Sequence, residues 1–425
     1  MTDELPASPY RRDFDTARDP YTARNALGIT TWVASINGQS GAITIAAGTG
    51  IGVATTTGTI TISVTGSYQP LDADLTAIAA LTGTNTIYYR SAADTWSPVT
   101  IGTGLAFATG TLSSTVTGAT GPPQGRLSLS TGVAVPTSNV TAATTIYYTP
   151  YLGQLVPLYD GTNFSMTDIG GELSQATTDT TKSPAAVAAN SNYDFFAWDD
   201  SGTKRCTRGP AWSSGTSRGT GAGTTELVRV KGFLLNAQSI TNGPAAQRGT
   251  YVGTVRSNGS SQIDWRFAGT GSGGVALSLH VWNCYNRVVV TAANIDNGAN
   301  YSYTTATIRQ ARASSGNQIN FVIGLLEDGI IATHSVEFRS AVNGTGEVGF
   351  GLDGTTSFAV GGGHMINYGG GSITVGTSGT LTYPIDLTSI TIGSHFIAAL
   401  ERGDGSLSTT FDVNSVDALG LIGRF

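Results

Sequence analysis

Apolar and polar positions alternate along most of this chain, in short runs bounded by glycine. Over 32–66 the runs AITIAAG, IGVATTT and TITISVTG predict short strands joined by Gly-bearing turns. In YDFFAWDDSGTKRC the alternation predicts a hairpin that turns at DDSG. Beyond residue 288 the runs RVVVTAA, QINFVIGLLEDGIIATHSVEFRSAV, EVGFGLDG, SITVGTSGTLTYPIDL and HFIAALERGDGSLSTTFDV continue the pattern. About eight strands at this spacing predict an antiparallel sandwich of jelly-roll type.

One segment has a different period. In YQPLDADLTAIAALTG (68–83), Leu71, Leu75, Ile78 and Leu81 fall on one helical face. Pro70 can open this helix, Asp72 and Asp74 suit its first turn, and Gly83 can close it, which predicts a helix over 70–82. About three turns are too few for a stable helix in water, so the leucine stripe must be covered.

The segment GTGIGVATTTGTITISVTG (48–66) is repeated after the helix as GTGLAFATGTLSSTVTG (102–118), and TNTIYYRSAADTWSPVTI between them reads as another hairpin. Units with so few large apolar residues cannot close a core alone and become stable when chains share one. The helix stripe then fits a short coiled coil of identical copies. GATGPPQG (118–125) starts a collagen-like period and breaks it, so it reads as a linker.

These elements predict an all-β protein in four parts. Residues 1–31 form an extended N-terminal anchor, and 32–125 a β shaft intertwined between identical chains and containing the short coiled-coil helix. A denser β module covers 126–288, and a C-terminal antiparallel β-sandwich of jelly-roll type covers 289–425.

Composition sharpens this picture. Only 12% of the 425 residues are charged and 57 are glycine, whereas soluble domains carry roughly 25% charge. Lysine occurs only at 182, 204 and 231. A surface this poor in charge is expected to be partly hidden in an oligomer. The net charge of −6 argues against nucleic acid as partner, because phosphate neutralisation needs clustered Lys and Arg. No apolar run approaches the roughly 20 residues of a membrane span, so no membrane insertion is expected. The acidic start MTDELPASPYRRDFD does not read as a signal peptide. Cys206 and Cys284 lack the partners of a structural zinc site and read as two buried thiols, with one disulfide as the alternative.

Several stretches resemble tailed-bacteriophage fibre and spike proteins. SINGQSGAITI is similar to an element that recurs near the N-termini of phage tail fibres, YQPLDADLTAIAAL to a linker-helix motif, and ARNALGI to the segment often preceding it. GRLSLSTGVAVPTS, TTIYYTPYLGQLVPLYDG, YDFFAWDDSGT and WNCYNRV together resemble a module spread among phage and prophage virion proteins. The resemblance covers roughly residues 20–290. It implies a homotrimeric virion appendage that binds a tail or head adaptor protein through residues 1–31 and points its C-terminal part outward.

Attachment to host surface polysaccharide is then the expected role, without a cofactor. A purely structural head or collar fibre is the rival, and a glycan-hydrolysing spike is less favoured than either. Sugar recognition asks for aromatic faces and planar polar groups on loops. GGGHMINYGGGS (361–372) offers His364, Asn367 and Tyr368 between glycine hinges and is read as such a loop; the alternative is a connection with Tyr368 packed back on the sandwich. Hydrolysis would need two facing carboxylates. Asp199, Asp200 and Asp328 sit at turn positions, Glu327 adjoins one, and Asp264 in QIDWRF is expected to pair with a nearby arginine. The isolated His280, His334, His364 and His395 are expected as hydrogen-bonded structural residues. Asp160 and Asp168 lack the ligand ladder of a calcium loop. GFGLDG (349–354) lacks the context of a dinucleotide fingerprint, and RGD (402–404) reads as a hairpin turn.

Overall fold

The computed structural model describes residues 38, 39, 44–65, 72–102, 104–114, 121–271, 273–369, 375–386, 388–411 and 417–425. The expected anchor, residues 1–31, lies outside them. The chain divides into two compact units, Met1–Ser114 and Thr115–Phe425.

The first unit is a string of small elements. Strands Ile51–Thr56 and Thr59–Val64 form one hairpin, Tyr88–Ala92 and Thr95–Pro98 a second, and Leu105–Ala108 and Thr111–Ser114 a third. The two copies of the sequence repeat are therefore two copies of one hairpin. Thr109 and Gly110 both take positive φ, the two-residue turn whose twist suits a hairpin. Residues 44–48, the described part of the AITIAAG run, form no strand.

The helix is shorter than its periodicity predicts, at Ala73–Ala79. Asp72 caps its start, its side chain accepting a 3.0 Å bond from Asp74 N; Pro70 and Leu71 of the expected helix lie outside the described residues. None of its residues is buried: Leu75 and Ile78 face solvent in the single chain. Ile60, Ile62 and Val64 are likewise exposed, at every second position of one strand.

The second unit is built from larger sheets around one large core and a smaller one. Thr203–Ala211, Asn192–Asp200, Thr250–Arg256, Phe233–Asn236 and Leu227–Val230 follow one another in a sheet, with Val281–Asn283 also on Thr250–Arg256. Its first hairpin turns at Ser201-Gly202, both at positive φ, where the sequence places DDSG.

Two further sheets form the sandwich. One runs Met365–Tyr368, Thr345–Leu352, Gly393–Arg402, Gln318–Ile323, Leu277–Leu279, Ile263–Arg266 and Val140–Ala143. The other runs Ala268–Thr270, Val289–Asp296, Asp417–Arg424, Ile330–Ser340, Thr409–Phe411 and Tyr301–Tyr303, with Val375–Ile385 also on Ile330–Ser340. Both sheets draw strands from either side of residue 288. Among the described residues two pairings are parallel, Ala268–Thr270 with Val289–Asp296 and Leu277–Leu279 with Gln318–Ile323, where the expected jelly roll has antiparallel strands only.

Phe321, Phe350 and Ile397 of the first sandwich sheet share a core with Ala332, Leu419 and Leu421 of the second. Each fully buried phenylalanine contributes roughly 2–3 kcal/mol. Phe338, Phe411 and Tyr301 stack in a row at one end, with ring centroids 5.8 and 5.6 Å apart. Arg126 of the strand Gly125–Ser128 lies buried and donates to Phe425 O at 3.1 Å, 299 residues away. Burial lowers its pKa to about 10. Both cysteines are free and buried.

Candidate functional site

GGGHMINYGGGS is not simply a loop. Met365–Tyr368 is a strand at the sandwich edge, pairing antiparallel with Thr345–Leu352 from Val348↔Met365 to Thr345↔Tyr368. Alternation splits the three expected recognition residues. Tyr368 is 66% exposed, while Asn367 is 1% exposed.

Asn367 faces the other sheet. Its Oδ1 accepts from Ser340 N at 3.3 Å, and its Nδ2 donates to Thr377 Oγ1. Ser340 Oγ returns a 3.3 Å bond to Asn367 O. The residue thus ties the edge strand to Ile330–Ser340 and Val375–Ile385, and the reading of Asn367 as an exposed polar ligand is corrected.

His364 is exposed and stacks on Phe358, ring centroids 5.6 Å apart and planes 7° from parallel. Gly349 makes room for this pair: a Cβ there would come within 2.7 Å of Phe358 and 3.1 Å of His364. His364 and Tyr368 are four residues apart, about 13 Å along an extended chain. What the edge offers is a flat stacked pair just before the strand and an exposed phenol at its end. Flat apolar rings with a polar rim suit the CH faces of sugars.

The carboxylates considered for hydrolysis are each held. Asp199 pairs with Lys204 at 2.6 Å, and Asp200 with Lys182 at 2.7 Å and Arg205 at 2.5 Å. These partners, Lys204 for Asp199 and Lys182 then Arg205 for Asp200, hold both below the usual carboxylate range. Arg287 binds Glu327 and Asp328, each at 2.8 Å. Asp264 is held by Ala142 N and Asn258 Nδ2, both at 2.8 Å, and not by an arginine as expected. The Asp160 carboxylate closes a turn on Thr162 N and Asn163 N, and Asp168 accepts from Gly170 N. In the RGD turn, Asp404 accepts from Ser406 N while Arg402 pairs with Glu347 at 2.8 Å.

Sequence reasoning missed two groups. Glu401 is buried, and burial raises its pKa against Tyr301, Arg309 and Arg312, which all bond it. The register sets Arg309 opposite Glu401, while Tyr301 reaches it from a strand of the other sheet. In the first unit Asp72, Asp74 and Asp94 bring carboxylate oxygens within 4.8 Å of one another, with Asp74 paired to Arg90 at 2.9 Å.

The histidines differ from expectation in part. His395 is hydrogen-bonded, to Asp353 at 2.7 Å and Thr391 O at 2.9 Å. His280 is buried with neither ring nitrogen bonded among the described residues. Burial lowers the pKa of His280 and of His334 to about 4.

The chain matches no protein-family model and no curated protein sequence. Among solved structures it is similar to the VP2 subviral particle of infectious bursal disease virus, at 13% identity and a TM-score of 0.19 over 64% of this chain and 67% of that one. The Gt strain structure of the same virus matches at 16% identity and a TM-score of 0.17 over 56% of this chain and 58% of that one. A Bacillus thuringiensis insecticidal delta-endotoxin matches at 9% identity and a TM-score of 0.17, over 71% and 52% of the two chains. The chain thus spans little more than half the length of two of these three, and scores this low carry no argument about function.

Proposed function

We propose that this protein is a homotrimeric virion fibre or spike, joined to a particle through residues 1–31 and attaching to host cell-surface glycan. The observation that carries the oligomer is the uncovered apolar surface of the first unit: Ile60, Ile62, Val64, Leu75, Ile78, Leu105 and Leu112 are all exposed on elements too small to hold a core. Three copies around one axis would give these side chains a shared interior. The virion role rests on the wording of the sequence motifs between 20 and 290. Glycan attachment rests on the His364–Phe358 stack and Tyr368 at the sandwich edge. Three weak sites on one scaffold gain through effective concentration.

The test is binding of the purified protein to host polysaccharide, with its mass measured by light scattering. A trimer that binds supports the reading. A trimer that binds no host glycan is the purely structural fibre, and release of reducing ends identifies a hydrolase. A monomer at micromolar concentration overturns the architecture.

A further inference from the structure

In the sandwich sheet that contains Ile330–Ser340, one face of the strands packs on the core and the other is uncovered among the described residues. Across that outer face Thr291, Ile422, Ile331 and Pro384 stand in one row, by the register of four neighbouring strands. The next two rows hold only Ala, Gly, Ser and Thr, apart from Ile295. Charge stands at the margins, with Arg424 beside Val289 at one end and Glu337 and Arg339 at the other. Val289, Ile295, Ile331 and Ile422 are between 38% and 66% exposed. At the Val289 end the face runs into a groove walled by Pro136, Trp265 and Phe267.

The four strands, eight to eleven residues long and spaced ~4.8 Å apart, make a surface of roughly 600 Å². A specific interface clears about 1,000 Å² in total, roughly 500 Å² from each partner. The face has no aromatic ring and no planar polar group over its middle, so it does not suit a sugar. It has no lysine and only marginal arginines, so it does not suit a polyanion. A flat surface of small and β-branched side chains fits another of the same texture.

We propose that this face packs against other copies of the same chain, so that three such sheets turned to one axis enclose a second shared interior. The inference rests on the homotrimer reading and adds to it a contact surface independent of the first unit.

Thr291→Cys in the full chain tests it, because Thr291 is exposed and a cysteine there disturbs little. The native Cys206 and Cys284 are buried, with both thiol pKa values raised by burial, Cys284 to about 12, so they contribute little background. Maleimide should modify the introduced thiol about tenfold or more slowly in native protein than in urea, since a covered thiol reacts only when the contact opens. A bismaleimide of ~10 Å span, the spacing of face-to-face sheets, should give covalent dimers on a denaturing gel, because the one introduced thiol per chain can be joined to only one other. A trimer by light scattering with fast modification and no cross-link overturns this inference alone. Slow modification without cross-links does the same, because a segment of the same chain then covers the face. A monomer overturns the homotrimer reading as well.

Discussion

The Arg218 guanidinium donates to the Asp194 carboxylate at 2.6 and 3.2 Å in a part of the second unit that water does not reach. Thr225 and Thr254 donate to the same carboxylate, at 2.8 and 2.7 Å. Arg218 also donates to Tyr251 Oη at 3.2 Å and to Gly324 O at 2.8 Å, and lies over the Trp212 ring. Burial works against the arginine's charge, yet Asp194 and Tyr251 hold its pKa above the ordinary value. Removing one partner of such a pair strands the other. Asp194→Ala is expected to cost about 3–5 kcal/mol in a urea melt. A loss below about 1 kcal/mol would mean that the pair contributes little.

The exposed tyrosine of the sandwich edge and its buried neighbour should separate cleanly. Tyr368→Ala removes a solvent-facing ring, so stability should move by less than about 0.5 kcal/mol while binding to host cells falls. Asn367→Ala removes the buried side-chain bonds to Ser340 N and Thr377 Oγ1 and should cost about 1–3 kcal/mol. Equal melting of the two variants would contradict the opposite exposures of these side chains.

Leu75→Asp probes the helix stripe. In a single chain Leu75 is exposed, so the substitution has little to disturb within the chain. In a seam of three copies it places three carboxylates together, at a cost of several kcal/mol. Light scattering should therefore read a lower mass while circular dichroism of the second unit stays as in wild type. An unchanged mass would remove the helix from the contact.

Acid should weaken the fold before the carboxylates titrate. With folded pKa values of about 4, against about 6.5 when unfolded, His280 and His334 bind fewer protons folded than unfolded in that window. Stability therefore falls as pH drops from about 6.5 to 4, by on the order of 3 kcal/mol for each histidine. Glu401, whose pKa is raised, contributes with the opposite sign. Urea melts at pH 7.5 and 5.0 should show the loss, and His280→Leu should reduce the difference. Equal midpoints at both pH values would show that these rings protonate in place.

Much of the local structure was legible because it is written locally. The turn at Ser201-Gly202 and the repeated hairpins follow from glycine at positive φ between alternating runs. Partners across the sheets are not. Leu277–Leu279 and Gln318–Ile323 pair in parallel over about forty residues of intervening chain, and no nearby residue announces it. That is why a boundary near 288 looked natural. The site was half legible: glycines on both sides hid a four-residue strand, and without the strand the opposite facing of Asn367 and Tyr368 could not be read. The uncovered helix stripe was legible as a demand for a partner.

The bond from Arg126 to Phe425 closes the second unit on itself, joining its first strand to the last residue of the chain. A core that depends on such distant pairings gains little until the whole segment is present, because loop closure comes before any contact rewards it. On a ribosome, at about 5–20 residues per second, the early strands of this unit would wait many seconds for their neighbours. Its folding is therefore a late event relative to the synthesis of its first strands, whose open edges must be kept apart until then.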